Sequence, residues 1–266
     1  MTRPLPLLRR SLAEGARPLT GWTLGIGAAL ALYLPLFPSM GGNGQMEEMI
    51  ENLPPELVKT LGYDTIGTGA GYTQGTYFGL IGFLLLTIAA TAWGAAAIAG
   101  AEESGRLELV LAHGVSRTRY ALEQAGAVIV RLLLLGAVGA LLVLAFDGPS
   151  ELGLRASHVI ATSAALVALT ALSATTALAV GAVTGRRVAA TAAGAGVAVL
   201  GYVLTAVANQ SPDREVLHTF SPYHWAYGET PLANGLDVAG LGVLLLANTV
   251  CVVVATLALR RRDVVG

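Results

Sequence analysis

The sequence predicts an all-α protein that crosses a membrane six times. Hydrophobic residues make up 54% of the chain and charged residues 12%, whereas an average soluble domain is about 25% charged. A hydrocarbon core about 30 Å thick needs about 20 helical residues. The apolar segments of that length are Thr20–Pro38, Thr76–Gly100, Tyr120–Phe146, Ala156–Val183, Val188–Ala208 and Asp237–Leu259. We therefore interpret residues 1–266 as a single transmembrane domain.

The positions of the basic residues predict the orientation of the spans. Lys and Arg close to span ends are retained on the cytoplasmic side of a membrane. If the N-terminus is cytoplasmic, all of the 16 basic residues except Lys59, Arg155 and Arg214 lie on that side. Acidic residues concentrate in the outer segments, 39–75 and 209–236 among them. The charge pattern thus predicts a multi-pass protein with both termini in the cytoplasm, and we expect the membrane to be that of a bacterial or archaeal cell.

A short amphipathic helix is predicted ahead of the first span. Residues 6–17 lie between Pro6, which can start a helix, and Pro18, which interrupts one. On a helical wheel, leucines share one face and charged side chains the other, a pattern typical of a helix in the membrane interface. The residues that we assign to this elbow helix are Arg9, Arg10, Leu12 and Arg17. The alternative is a positively charged leader that only fixes the topology.

A charged connection, residues 101–119, joins the second and third predicted spans. Apolar side chains recur there at helical spacing, at Leu107, Val110, Leu111 and Val115. Nothing in the connection itself covers this ridge. It can lie on the inner membrane surface or insert into a groove on a soluble partner. The glutamates favour a partner, because an anionic inner leaflet repels carboxylates.

The connection resembles the first cytoplasmic loop of ABC-2 type permeases, the membrane subunits of one class of ATP-driven exporters. The resemblance is carried by Glu102, Glu103, Gly105, Leu107, Glu108, Leu109, Leu111, Val115, Ser116 and Arg117. A second segment that resembles the family begins with Ser221-Pro222-Tyr223-His224 and continues to Asp237. In place of a proline frequent in the family, this chain has Ala112-His113-Gly114.

The resemblance implies a transport subunit rather than an enzyme. The connection would be a coupling helix that docks into a separate ATPase subunit, which would bind the ATP and Mg²⁺. The implied contact residues are Glu102, Glu103, Gly105, Arg106, Leu107, Glu108, Leu111, Val115, Ser116 and Arg117. The further implied partners are a second permease half, identical or similar, and the lipid bilayer, with no nucleic acid. Apolar spans suit lipophilic or amphipathic substrates, antibiotics among them, but identify no substrate residue.

The sequence contains no site of its own for an energy source. Its one lysine, Lys59, lacks the glycine cradle of a Walker A motif. Arg131 lies within an apolar run, and we place it at the inner edge, where its side chain can reach water. Glu123 is eight residues away, too far for an i,i+4 pair. Two rival functions stay open: a secondary transporter, and a membrane-bound sensor or assembly protein that uses segment 46–61, where we predict two amphipathic pieces.

Aromatic side chains before the last span predict an outer interfacial belt, because amphipathic rings settle at the level of the lipid headgroups. These residues are Tyr223, Trp225 and Tyr227. His218 and His224 lie in the same segment but lack the close spacing of zinc ligands. We therefore predict no metal site.

Overall fold

The computed structural model describes residues 5–40, 52 and 65–262, and over these residues it is all-helical without strands. The helices are α1 (Pro6–Glu14), α2 (Ala16–Ser39), α3 (Gly69–Glu103), α4 (Arg106–Ala112), α5 (Arg117–Asp147), α6 (Ala156–Thr184), α7 (Arg187–Ala208), α8 (Pro222–Tyr227), α9 (Pro231–Asn234) and α10 (Val238–Arg261). A 3₁₀ helix, Pro212–Phe220, links α7 to α8.

Six of these helices are long and apolar enough to cross a membrane, which confirms the predicted fold class. They are α2, α3, α5, α6, α7 and α10. The two amphipathic pieces predicted in segment 46–61 lie outside the described residues, apart from Asn52.

Helix α6 is the centre of the bundle, because 83% of the residues in its most apolar 18-residue stretch are buried. It packs against α3, α5, α7 and α10. Glycines allow the closest approaches, because a Cβ on Gly94 of α3 would lie 2.2 Å from the Ala174 carbonyl oxygen of α6. A Cβ on Gly194 of α7 would lie 2.6 Å from the Ser173 carbonyl oxygen. Small residues therefore set the distances between these helices, as is usual inside membranes.

The elbow helix ends earlier than predicted. Helix α1 stops at Glu14, and α2 begins at Ala16, so Arg17 belongs to the membrane helix and not to the elbow. Pro18 lies in the first turn of α2, where a missing N–H costs nothing because first-turn amides have no helical acceptor. The chain breaks at Gly15 instead, where a Cβ would collide with the Arg131 guanidinium of α5.

Helix α3 is continuous but contains two π-helical segments, Gln74–Ile81 and Ala96–Gly100. Segments of this kind are rare and occur frequently at functional sites. One lies towards each end of the helix. The second comes directly before the connection between α3 and α5, and the first contacts the segment around α8.

Candidate functional site

The connection from α3 to α5, residues 104–116, is a compact turn around α4, and we call it the α4 loop. Gly105 and Gly114 have φ of +67° and +82°, in the left-handed region that favours glycine. Ser116 caps α5, because its Oγ accepts a hydrogen bond from the Arg119 N–H at 3.3 Å. Two glycines and one cap thus fix where the loop leaves α3 and enters α5.

The apolar ridge of α4 packs against the membrane helices of the same chain. Leu107 is 0% exposed and shares a cluster with Ile98 of α3, Tyr120 of α5 and Leu259 of α10. Val110 and Leu111 are half-buried against that cluster, and so is Val115, which lies beyond the end of α4 and not on its ridge as predicted. The prediction that nothing covers the ridge is therefore wrong, and Leu107 has no surface left for a partner.

The opposite face of α4 is the exposed one. Leu109 is 65% exposed at its centre, and Arg106, Ala112 and His113 are exposed around it. Of the other residues that the resemblance implies as ATPase contacts, Glu103 and Ser116 are exposed. The half-buried ones are Glu102, Gly105, Glu108 and Arg117. Leu109 belongs to the sequence resemblance, but helical periodicity gave it no role because it lies off the ridge.

Glu102 binds the end of the last membrane helix. Its carboxylate forms an ion pair with the Arg262 guanidinium, directly after α10. The Arg117 Nη1 donates to the Arg262 carbonyl oxygen at 2.6 Å. Gly185, after α6, leaves room for the pair, since a Cβ there would lie 2.6 Å from Arg262 Nη1. The side chain and backbone of Arg262 therefore connect the end of α10 to the end of α3 and the start of α5.

Glu103 binds a different membrane helix. Its Oε1 accepts a hydrogen bond from the Arg187 backbone N–H at 2.7 Å. Arg187 is the first residue of α7, where amide groups lack helical acceptors and the helix dipole favours a negative charge. Two adjacent glutamates thus fasten the end of α3, directly before the α4 loop, to α10 and to α7.

The elbow helix is held by α5 at both of its ends. Glu123 Oε2 accepts a hydrogen bond from the Leu8 N–H at 2.9 Å, and its Oε1 accepts from Arg119 Nε at 2.6 Å. Arg131 donates to the Ser11 carbonyl oxygen and, at 2.9 Å, to Ser11 Oγ. We predicted that the Arg131 side chain reaches water. Instead Arg131 is half-buried, and its guanidinium binds the elbow.

The outward face of the elbow carries the other assigned side chains. Arg9 and Arg10 are exposed, and Leu12 is half-buried. Arg10 Nε lies 2.7 Å from Glu14 Oε1, and this hydrogen bond raises the pKa of the Arg10 guanidinium. The amphipathic pattern predicted for this segment is therefore present, with Arg17 displaced into α2.

The family profile described as "Multidrug efflux system permease Rv1217c, C-terminal domain" matches residues 3–260 of the chain. The chain belongs to this family of ABC-type efflux permeases. The match covers nearly the whole sequence, and it agrees with the resemblance found in the α4 loop. The protein is thus a multi-pass membrane permease of an efflux system. No curated protein matches the chain.

On the face of the permease opposite the α4 loop, α8 docks onto the first π-helical segment of α3. The Tyr227 hydroxyl donates to the Phe78 carbonyl oxygen at 3.0 Å, and the Tyr223 hydroxyl donates to that of Gly79 at 2.9 Å. Tyr227 is 6% exposed, and burial raises its pKa well above the usual value. The belt prediction is therefore wrong for Tyr227, whose ring lies inside the bundle. Trp225 is half-buried and donates to the Thr219 carbonyl oxygen at 2.9 Å.

Ser221 fixes the start of α8. Its Oγ accepts from the His224 N–H at 3.2 Å as the cap of the helix. The same hydroxyl donates to the Gly201 carbonyl oxygen of α7 at 2.6 Å and lies 2.7 Å from Thr205 Oγ1. The Ser-Pro segment that resembles the family therefore joins α7 to α8 through one buried hydroxyl.

The two histidines of this segment stack on each other in the permease. The rings of His218 and His224 are 3.9 Å apart and inclined by 5°. His218 Nε2 lies 2.9 Å from Asn209 Oδ1. Burial, and secondly His218, lower the pKa of His224. In the part of the chain that the structure describes, no group of three side chains suited to a metal ion occurs.

Proposed function

We propose that this permease is the transmembrane subunit of an ATP-driven exporter and that its α4 loop binds a separate ATPase subunit. The observation that carries the proposal is the geometry of the loop. One face of α4 packs against the membrane helices and the other exposes Leu109. Directly before the loop, Glu102 and Glu103 connect the end of α3 to α10 and α7. A displacement of α4 would therefore move several membrane helices together.

The mechanism follows from the stiffness of these connections. ATP and Mg²⁺ bind to the partner subunit, and closure of two ATPase subunits presses on the exposed face of α4. The load passes into α3, α5, α7 and α10 and shifts the pathway from inward to outward access. The pathway forms between this permease and a second half, identical or similar. The family's description as a multidrug efflux system supports lipophilic or amphipathic substrates, antibiotics among them.

The ionisable side chains inside α5 favour an ATP-driven exporter over a secondary transporter. Proton-coupled or ion-coupled transporters place such groups on the transport route. Glu123 and Arg131 instead bind the two ends of α1. Their charges serve the docking of the elbow, which leaves energy supply to another subunit.

The charge distribution supports a cytoplasmic α4 loop and cytoplasmic termini, and we propose that the membrane is that of a bacterial or archaeal cell. Single cysteines in a Cys251→Ser background would test this orientation. A membrane-impermeant maleimide should label Glu151→Cys in intact cells. It should label His113→Cys only after the cells are opened, and the reverse pattern would refute the orientation.

The docking proposal is tested by Leu109→Asp in the permease co-purified with its ATPase subunit. A charge in the centre of the docking surface should lower ATPase binding at least tenfold, a loss of about 1.4 kcal/mol or more. Val216→Asp is the matched control, because Val216 is 63% exposed on the 3₁₀ helix of the opposite face. Leu107→Asp is unsuitable, since it would place a charge in the core. Unchanged ATPase binding by the folded Leu109 variant would refute the proposal.

A further inference from the structure

A cavity of about 740 Å³ opens on the face opposite the α4 loop. It lies between the first π-helical segment of α3, the end of α7, the 3₁₀ helix and α8. Binding sites for small molecules usually measure about 300–1,000 Å³. The cavity is thus large enough for a compound of drug size, and it is separate from the α4 loop.

In the described part of the chain, three tyrosine rings line this cavity. Tyr202 of α7 meets Tyr223 edge to face with ring centroids 5.3 Å apart, and Tyr223 meets Tyr227 at 5.1 Å. The hydroxyls of Tyr223 and Tyr227 donate to carbonyl oxygens of α3, which fixes both rings. A wall of preordered aromatic rings suits a ligand with an apolar aromatic body.

The charges at the cavity favour a positive ligand. Glu215 lines it, and among the described residues that line it there is neither lysine nor arginine. The nearby Arg214 directs Nη1 to Gln210 Oε1 at 3.1 Å. The stacked rings of His218 and His224 complete this part of the wall. Cations bind over the faces of tyrosine rings and near carboxylates, and the described lining offers both.

We propose that this cavity binds organic cations with an apolar aromatic body. The aromatic body packs against Tyr202 and Tyr223, and the positive group lies towards Glu215. The inference deepens the proposed efflux function, because it identifies a class of compounds that the permease would hold near the exit from the membrane. The binding itself requires neither the ATPase subunit nor nucleotide.

The test compares two ions of one shape and opposite charge, tetraphenylphosphonium and tetraphenylborate. Their binding to the full chain in lipid nanodiscs is measured by equilibrium dialysis at about pH 7.5, above the usual pKa of histidine, with empty nanodiscs as the reference. Tetraphenylphosphonium should bind. Tyr202→Leu, which keeps the apolar contact but removes the ring, should weaken binding about 5- to 30-fold. Glu215→Gln should weaken it about two- to fivefold.

Two variants outside the cavity serve as matched controls. Tyr33→Leu removes a half-exposed ring near the end of α2, and Asp213→Asn removes an exposed charge of the same 3₁₀ helix. Both should bind tetraphenylphosphonium like the wild type. If Tyr202→Leu and Glu215→Gln also bind like the wild type, or if tetraphenylborate binds equally well, the cavity proposal is overturned. ATPase docking through Leu109 would still stand, since no ATPase takes part in this experiment.

Discussion

Glu123 and Arg131 show how two charges of a membrane helix can fix a short interfacial helix. They are two turns apart on α5, so both point to the side where α1 lies. Glu123 binds an amide of the first turn of α1, and Arg131 binds a carbonyl group further along. Each charge therefore has the sign that the helix dipole favours at that end. Hydrogen bonds to charged groups contribute about 1.5–3 kcal/mol each when partly buried.

Loss of the Glu123 carboxylate should release the elbow helix. We expect Glu123→Ala to raise tryptic cleavage after Arg9 and Arg10 about 10- to 100-fold in detergent-solubilised permease, because undocked α1 frays. Mass spectrometry of the released peptides measures the rate. Glu14→Ala is the control, because the Arg10–Glu14 pair is exposed and exposed pairs contribute little. Equal cleavage in both variants would show that Glu123 does not hold α1.

Two leucines of α4 show what residue periodicity can and cannot predict. The spacing of Leu107 and its ridge correctly indicated an amphipathic helix. Which surface covers the ridge depends partly on α10, which returns to the loop from a distant part of the sequence. A single sequence does not contain that contact. The exposed Leu109 could be found only from the motif resemblance, since by hydropathy alone it is an apolar residue on the polar side.

At the scale of helices, the first π-helical segment of α3 and the tyrosines of α8 form one contact, which we call the joint. A π turn is wider than an α turn and disturbs the regular pattern of backbone hydrogen bonds. The hydroxyls of Tyr223 and Tyr227 donate to two consecutive carbonyl groups in such a segment. The joint fixes α8 against α3 and so shapes the cavity between them.

Removal of the Tyr227 hydroxyl should destabilise the permease more than removal of the Trp225 indole nitrogen. Tyr227→Phe leaves the buried Phe78 carbonyl group without its side-chain donor, at a cost of about 1–3 kcal/mol. Although the Trp225 ring is half-buried, its hydrogen bond to Thr219 is exposed, so water can replace the bond that Trp225→Phe removes. Unfolding by SDS titration in mixed micelles measures both free energies. A Tyr227 variant as stable as the Trp225 variant would contradict the role of this joint.

Span number and span ends differ in how far the sequence predicts them. Six apolar runs sufficed for six membrane helices because the bilayer sets the length. The break between α1 and α2 was placed after Arg17 on the evidence of Pro18. Proline is harmless in a first turn, so the break lies at Gly15, where Arg131 of α5 needs the space. The π-helical turns likewise reflect tertiary partners that no local pattern reveals.

At the scale of the whole molecule, the helix ends on both sides of the α4 loop contact helices from the start, middle and end of the bundle. Glu102 and Arg117 bind Arg262, the residue directly after α10. Glu103 accepts a hydrogen bond from the first residue of α7. Helix α5, which begins directly after the loop, binds the elbow helix α1. The helices so connected surround α6, the most buried span. A displacement of the loop would therefore be transmitted to the rest of the permease through several helices and not through a single one.

The Glu102–Arg262 ion pair offers a test of this transmission in the reconstituted exporter. Both side chains are mostly buried, so we expect a coupling energy of about 1–2 kcal/mol between them. Glu102→Arg or Arg262→Glu alone should lower transport per ATP hydrolysed about 5- to 30-fold, while ATPase binding through Leu109 persists. The double variant, which restores opposite charges, should recover most of the loss, and Arg261→Glu should have little effect. If the double variant is as impaired as the singles combined, the pair does not carry force, and transmission would pass through Glu103 and α7 instead.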